Sequence, residues 1–180
     1  MTTSTASPLD RAFEPFQLAG LTLRNRFIKA ATFEGRTPGG RPGVVLARFH
    51  RDVAAGATAL TTVAYCGVSP DARTFDDQLH VHEGVLGPLQ ALADAVHAEG
   101  GAVCGQLAHC GGFSRAKPVA QRRPLGPTGG INAYGLFSGV PFSGTMRQDD
   151  FDAALPSSNL RTSTADGRGL DRPASSRHRR

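Results

Sequence analysis

The sequence predicts an α/β fold built from consecutive strand–helix–strand units around a parallel sheet. Apolar or β-branched runs at 27–32, 57–65 and 102–104 alternate with two segments of helical period, and each of those helical segments stops on a glycine, Gly56 and Gly100. Right-handed crossovers between such strands bring all three strand ends to one rim. The third run passes directly into Gln106 and His109 and then Gly111 and Gly112, so polar groups gather at one strand end. In sheets of this kind ligands bind beyond the carboxyl ends of the strands.

The elements follow in order. Residues 1–11 read as a loose polar leader. Residues 13–18 and 21–23 flank Ala19 and Gly20 and predict a small hairpin. The strand at 27–32 starts with Phe27 and Ile28 and ends in Ala30, Ala31 and Thr32, small residues that leave room for something to lie against them. Residues 34–43, rich in Gly and Pro, read as a loop. Val45, Phe49 and Val53 recur every four positions and predict the inner face of a helix over 44–55. The run 57–65 is a second strand, ending at Tyr65 before the turn signal Ser69-Pro70-Asp71. Pro88 is placed in the first turn of a second helix with Leu89, Leu92, Ala93 and Val96 inward. Beyond His109 the chain shows no clear periodicity up to Ser143, and acidic residues near Met146 start another helix pattern over 146–155.

Composition excludes several classes. With 39% hydrophobic and 19% charged residues and no run of about 20 apolar residues, the chain is expected to be a soluble domain without a membrane span. The first ten residues lack a signal-peptide pattern. Three cysteines, Cys66, Cys104 and Cys110, without C-x-x-C spacing fit reduced thiols and a cytoplasmic protein. His80 and His82 share a strand face by spacing, but no third ligand stands in a recognisable spacing, so no metal is expected. Most of the net charge of +5 comes from residues 156–180, where six arginines face two aspartates. The body lacks a basic stripe, and no nucleic-acid partner is expected.

Residues 156–180 carry too few apolar side chains to offset their ordering entropy and are expected to be disordered. The chain has 18 arginines against 2 lysines, as GC-rich coding sequence produces. A basic tail that begins inside a helix pattern is what an out-of-frame reading of such a gene gives. The expectation is therefore a frameshift or truncation after Leu155.

Several motifs then occur in one order: F-E-P-F-Q-L-A-G-L-T-L-R-N-R-F at 13–27, V-S-P-D-A-R at 68–73, G-Q-L-A-H-C-G at 105–111, and S-G-V-P-F with M-R-Q-D-D-F within 138–151. Together they resemble the FMN-dependent old yellow enzymes, or NADH:flavin oxidoreductases. That resemblance implies an incomplete (β/α)8 TIM barrel over residues 12–155, comprising the hairpin and about the first three βα units. It implies FMN as cofactor, NAD(P)H as reductant, and a small-molecule acceptor such as an activated alkene.

The same resemblance assigns residues. Ala30, Ala31 and Thr32 take the first strand end, where Thr32 would bond the reactive edge of the flavin and tune its potential. Tyr65 offers backbone from the second strand, and Gln106 offers an amide that can donate to and accept from the flavin pyrimidine. His109 is assigned to the substrate rim only. Lys29-Ala30-Ala31 departs from the family's usual Ser-Pro-Met or Ala-Pro-Met run. The substrate-anchoring pair, the proton donor and the phosphate site of the family belong to later strands, so the alternative is a noncatalytic fragment or partner-bound module.

Overall fold

The computed structural model describes residues 7–116 and 123–150; the expected tail at 156–180 and the part of the expected helix at 151–155 lie outside these. The leader contains a helix, α1 (Pro8–Phe13), where composition predicts loose chain. The cause is a capping box. The Ser7 hydroxyl accepts from the Asp10 N–H at 3.1 Å while the Asp10 carboxylate accepts from the Ser7 N–H at 2.9 Å. The hairpin follows as β1 (Phe16–Leu18) and β2 (Leu21–Leu23), antiparallel, with Ala19 and Gly20 both at positive φ in the two-residue turn.

Three parallel strands, β3 (Ile28–Phe33), β4 (Leu60–Gly67) and β5 (Ala102–Ala108), form a sheet in the order β3-β4-β5. Helices α2 (Val44–Ala55) and α3 (Glu83–Ala98) make the two crossovers. Each strand runs further toward its carboxyl end than its β-branched run indicates. β4 also starts later, because Ala57 sits at φ 68 in the turn after α2.

The buried face of α2 is Leu46, His50 and Ala54, one residue out of phase with the predicted Val45, Phe49 and Val53. Val45 is 54% exposed. The apolar period was right, but a histidine that finds a partner on β4 takes the inner position. Phe49 instead lies half-buried beneath two cations, Lys29 at 5.6 Å and Arg36 at 5.0 Å from its ring centroid. Pro88 stands inside α3 rather than at its start. His82 caps the helix by accepting the Gly84 N–H, and Val85 adds a fully buried position to the inner face formed with Leu92 and Val96.

The main core packs Leu46, Ala54, Val63, Cys66, Val85, Leu92 and Val96 between α2, α3 and β4, each large side chain contributing roughly 1.5–3 kcal/mol by burial. A second cluster, Leu23, Ala59 and Leu60 with Phe16 and Leu21, seats the hairpin against the amino end of the sheet. There the R-N-R motif has a structural use. The Arg24 guanidinium donates to the carbonyls of Ala54, Thr58 (2.9 Å) and Glu99 (2.7 Å), serving the ends of both helices, while Asn25 Nδ2 donates to the Ala57 carbonyl at 2.7 Å.

Beyond β5 the unperiodic stretch holds a small sheet of β6 (Leu125–Gly126), β7 (Gly130–Ile131) and β8 (Phe142–Thr145) in the order β6-β8-β7. Strands of two to four residues with a glycine in each are too short for alternation to reveal. Residues 148–150 are helical, the described part of the helix expected from Met146.

Candidate functional site at the strand ends

Strand register brings the expected site residues to one rim. Thr32 pairs with Val63 and Phe33 with Ala64, while Cys66 pairs with Leu107 and Gly67 with Ala108. Ala30, Thr32 and Gln106 are exposed, and Ala31, Tyr65 and His109 are half-buried. Gln106 is exposed and its amide has no hydrogen-bond partner among the described residues, which leaves both its donor and its acceptor open. His109 lies just past β5. Its Nδ1 accepts the Gly111 N–H at 3.0 Å, which engages the ring with its own turn.

The ladders carry two irregularities, one in the β3–β4 pairing between Lys29 and Thr32, the other in the β4–β5 pairing between Val63 and Cys66. Side chains bond the backbone there. Lys29 Nζ contacts Glu34 Oε1 at 2.7 Å, the Thr62 carbonyl at 3.1 Å, the Ala30 carbonyl at 3.2 Å and Thr32 Oγ1 at 3.4 Å. The second Glu34 oxygen accepts from the Ala64 N–H at 3.3 Å. Gln78 Nε2 donates to the Tyr65 carbonyl at 3.4 Å. None of Lys29, Glu34 or Gln78 was assigned to the site from sequence, although Lys29 stood out as unusual in its run.

Residues 69–82 scaffold the rim. Buried Arg73 donates to the carbonyls of Pro70 (3.0 Å) and Asp76 (2.7 Å), and the Ser114 hydroxyl donates to the Arg73 carbonyl at 2.5 Å. Segment 79–81 adds to the end of β4 through Gly67, whose N–H donates to Leu79 and whose carbonyl accepts from Val81, both at 2.8 Å. An aromatic row extends from this scaffold. The Phe33 ring lies 5.9 Å from Tyr65 and 4.7 Å from Phe75, and the Arg115 guanidinium sits 5.6 Å from the Phe75 ring and 5.0 Å from Tyr134. An open groove of about 360 Å³ beside it is lined by Phe75, Asp76, Asp77, Arg115 and Ser138. No periodic signal marked these residues, because they come from loops.

Behind the rim, burial and the nearby Lys29 ammonium push the His50 imidazole down to about 4. It is neutral at neutral pH, so its 3.6 Å approach to Glu34 is not then an ion pair. Burial, with Glu34 and Cys104 nearby, pushes the Cys66 thiol up to about 12. His80 and His82 do not share a strand face. His80 lies at the bridge to Gly67 and His82 caps α3, with their rings stacked at 4.5 Å. Burial lowers the His80 value, helped by His82 and Arg73. Among the described residues no cluster of three or more His, Cys, Asp or Glu could hold a metal ion, and no helix is long and apolar enough to cross a membrane.

The fold and much of the sequence are shared with known proteins. A sequence profile of the NADH:flavin oxidoreductase / NADH oxidase family matches residues 11–150. The chain is 50% identical over 141 residues to a 4,4'-dithiodibutanoate disulfide reductase of Rhodococcus erythropolis, covering 76% of this chain and 34% of that protein. It is 31% identical over 113 residues to a multifunctional alkene reductase/demethylase of Caballeronia cordobensis, covering 62% of this chain and 16% of the relative. A solved morphinone reductase in complex with tetrahydroNAD superposes with a TM-score of 0.71 at 22% identity, over 81% of this chain and 43% of that one. The chain thus spans about a third of the length of the disulfide reductase. Its hairpin, strands and crossovers form part of the (β/α)8 barrel of these enzymes. The profile match covers more than half of the chain and runs through every element of the rim, and this chain belongs to the NADH:flavin oxidoreductase / NADH oxidase family.

Proposed function

We propose that this chain supplies the first arc of an FMN site in an NAD(P)H-dependent oxidoreductase. The observation that carries the reading is the set of groups at the carboxyl ends of β3, β4 and β5: the exposed Thr32, the unengaged Gln106 amide, and the small residues Ala30 and Ala31 beside Thr32 on β3. The donor set fits a flavin. Thr32 would donate to the redox-active edge of the ring, and Gln106 would pair with the alternating donors and acceptors of its pyrimidine. β3 and β5 are two strand spacings apart, about 10 Å, a span suited to a planar three-ring system.

FMN, when bound, accepts hydride from NAD(P)H and delivers it to an oxidised acceptor. The residues of this chain bind and orient. Ala30 and Ala31 keep the floor low enough for close approach, Tyr65 contributes backbone while its ring turns to Phe33, and His109 borders the acceptor side. An activated alkene, or a disulfide like that named for the half-identical relative, is the proposed acceptor class. Groups that would hold the FMN phosphate and protonate the acceptor are not provided by β3, β4 or β5. We therefore assign to the isolated chain weak flavin binding without turnover.

The test is an FMN titration of the isotopically labelled chain followed by NMR. Amide and side-chain resonances of Thr32, Tyr65 and Gln106 should move while those of β1 and β2 stay. Shifts confined to the hairpin, or none at millimolar FMN, would sink the reading.

A further inference from the structure

We propose that the Lys29–Glu34 ion pair is the positioning device of the flavin-facing rim, taking the place of ladder hydrogen bonds at the irregularities of the β3–β4 and β4–β5 ladders. The inference rests on the flavin reading above and goes beyond it in assigning work to residues that do not touch the ring.

Both side chains are withdrawn from solvent, with 15% of Lys29 and 4% of Glu34 exposed, and their charged atoms are 2.7 Å apart. A pair held that way satisfies itself electrostatically, so its further contacts are the informative ones. An ammonium has three hydrogens, and here four oxygens compete for them. The shortest contacts go to Glu34 and to the Thr62 and Ala30 carbonyls, and the longest goes to Thr32.

The two carbonyls belong to different strands. Lys29 therefore ties Ala30 of β3 to Thr62 of β4 at the place where the β3–β4 register shifts. Glu34 performs the reciprocal task from beyond the end of β3, holding the Ala64 N–H inside the β4–β5 irregularity. A bulge re-aims the residues beside it. Those residues are Ala30, Ala31 and Thr32 on one strand and Tyr65 on the next, the groups assigned to the ring. When Lys29 donates to Thr32 Oγ1, the hydroxyl hydrogen remains free to point away from the ammonium and out of the rim.

His50 buttresses the pair from α2. It is fully buried, its Nδ1 lies 2.7 Å from Thr61 Oγ1, and its Nε2 lies 3.6 Å from Glu34. The carboxylate is thus backed by the core and cannot swing away from Ala64. The strut needs both partners, Lys29 on β3 and Glu34 five residues later.

The experiment compares the unsubstituted 180-residue chain with K29M/E34M, in which both charges are removed together so that neither is left buried alone. Amide exchange is read at Ala64, and FMN affinity from rim resonances. The expected result is exchange at Ala64 faster by roughly tenfold or more while Thr61 to Val63 stay protected, and FMN binding weakened by a similar factor. Should that variant be too unstable to purify, E34Q serves, since it keeps one acceptor but uncouples Lys29; a loss of roughly threefold in both readouts is then expected. Retention of both readouts in K29R would mark the strut as cationic positioning rather than packing. Unchanged Ala64 exchange and unchanged FMN affinity overturn the inference. A lack of rim shifts in the unsubstituted chain overturns the flavin reading instead, and faster Ala64 exchange in K29M/E34M would still support the pair's role in strand geometry.

Discussion

His50 Nδ1 and Thr61 Oγ1 stand 2.7 Å apart in the buried space between α2 and β4, a polar contact inside an otherwise apolar interface. The folded protein holds this histidine near 4, against 6.5 for the free side chain. Above about pH 6.5 the imidazole is neutral in both folded and unfolded chains, and its full contribution is present. As pH falls toward 4 the unfolded chain takes up a proton that the folded one refuses, so stability is lost across that window, by about 2–3 kcal/mol. Urea unfolding from pH 8 to 4 should show this loss, and H50Q should show a visibly flatter profile. Parallel profiles would contradict the assignment.

Arg24, half-buried beneath the hairpin, should matter to stability. Its guanidinium serves carbonyls at the ends of α2 and α3, which would otherwise face the packed hairpin. R24M is expected to cost about 2–4 kcal/mol in urea unfolding, and R24K to recover only part, because an ammonium cannot span the three acceptors with a planar fork.

Gly101 closes the approach of α2 to the start of β5. A β-carbon there would stand 2.8 Å from Ala54 Cβ, which is backed by the core. G101A should therefore destabilise by about 1–3 kcal/mol, measured by thermal unfolding. G87A, at a position with open space around it, is the control and should be neutral or slightly stabilising.

The cysteines should separate by reactivity. Cys104 is exposed, Cys110 is half-buried against Thr74 at 2.6 Å, and Cys66 is buried with its thiol pushed up to about 12. A thiol reagent should label Cys104 first and leave Cys66 unmodified until denaturant is added. Mass spectrometry of partially labelled protein checks the order. Early labelling of Cys66 would show that the α2–β4–α3 core opens readily.

The order of elements was legible because strands and helices announce themselves by different periods, and the hairpin because Ala19-Gly20 is a turn signal between apolar runs. The phase of α2 was not, since a buried His50 looks like a surface residue until Thr61 is known to face it. The α1 cap was readable in Ser7 and Asp10 but lay in a stretch judged by its composition. At the site, Ala30, Ala31, Thr32, Tyr65, Gln106 and His109 were named by motif resemblance; in the sheet Thr32 stands opposite Val63, and Val63 opposite Gly105, the neighbour of Gln106. Lys29 with Glu34, and Gln78 with Tyr65, stayed hidden for a different reason. Their partners are backbone groups on another strand or beyond it, and no sequence spacing encodes which ladder bonds are missing.

The central claim is that β3 and β5 present Thr32 and Gln106 to one flavin ring. The most direct measurement is the FMN dissociation constant of T32V/Q106L beside that of the unsubstituted chain and of T22V, a hairpin control at the far end of the sheet. The account predicts that T32V/Q106L binds at least roughly tenfold more weakly, with folding intact by circular dichroism, while T22V binds as the unsubstituted chain does. Equal affinity in all three would contradict it.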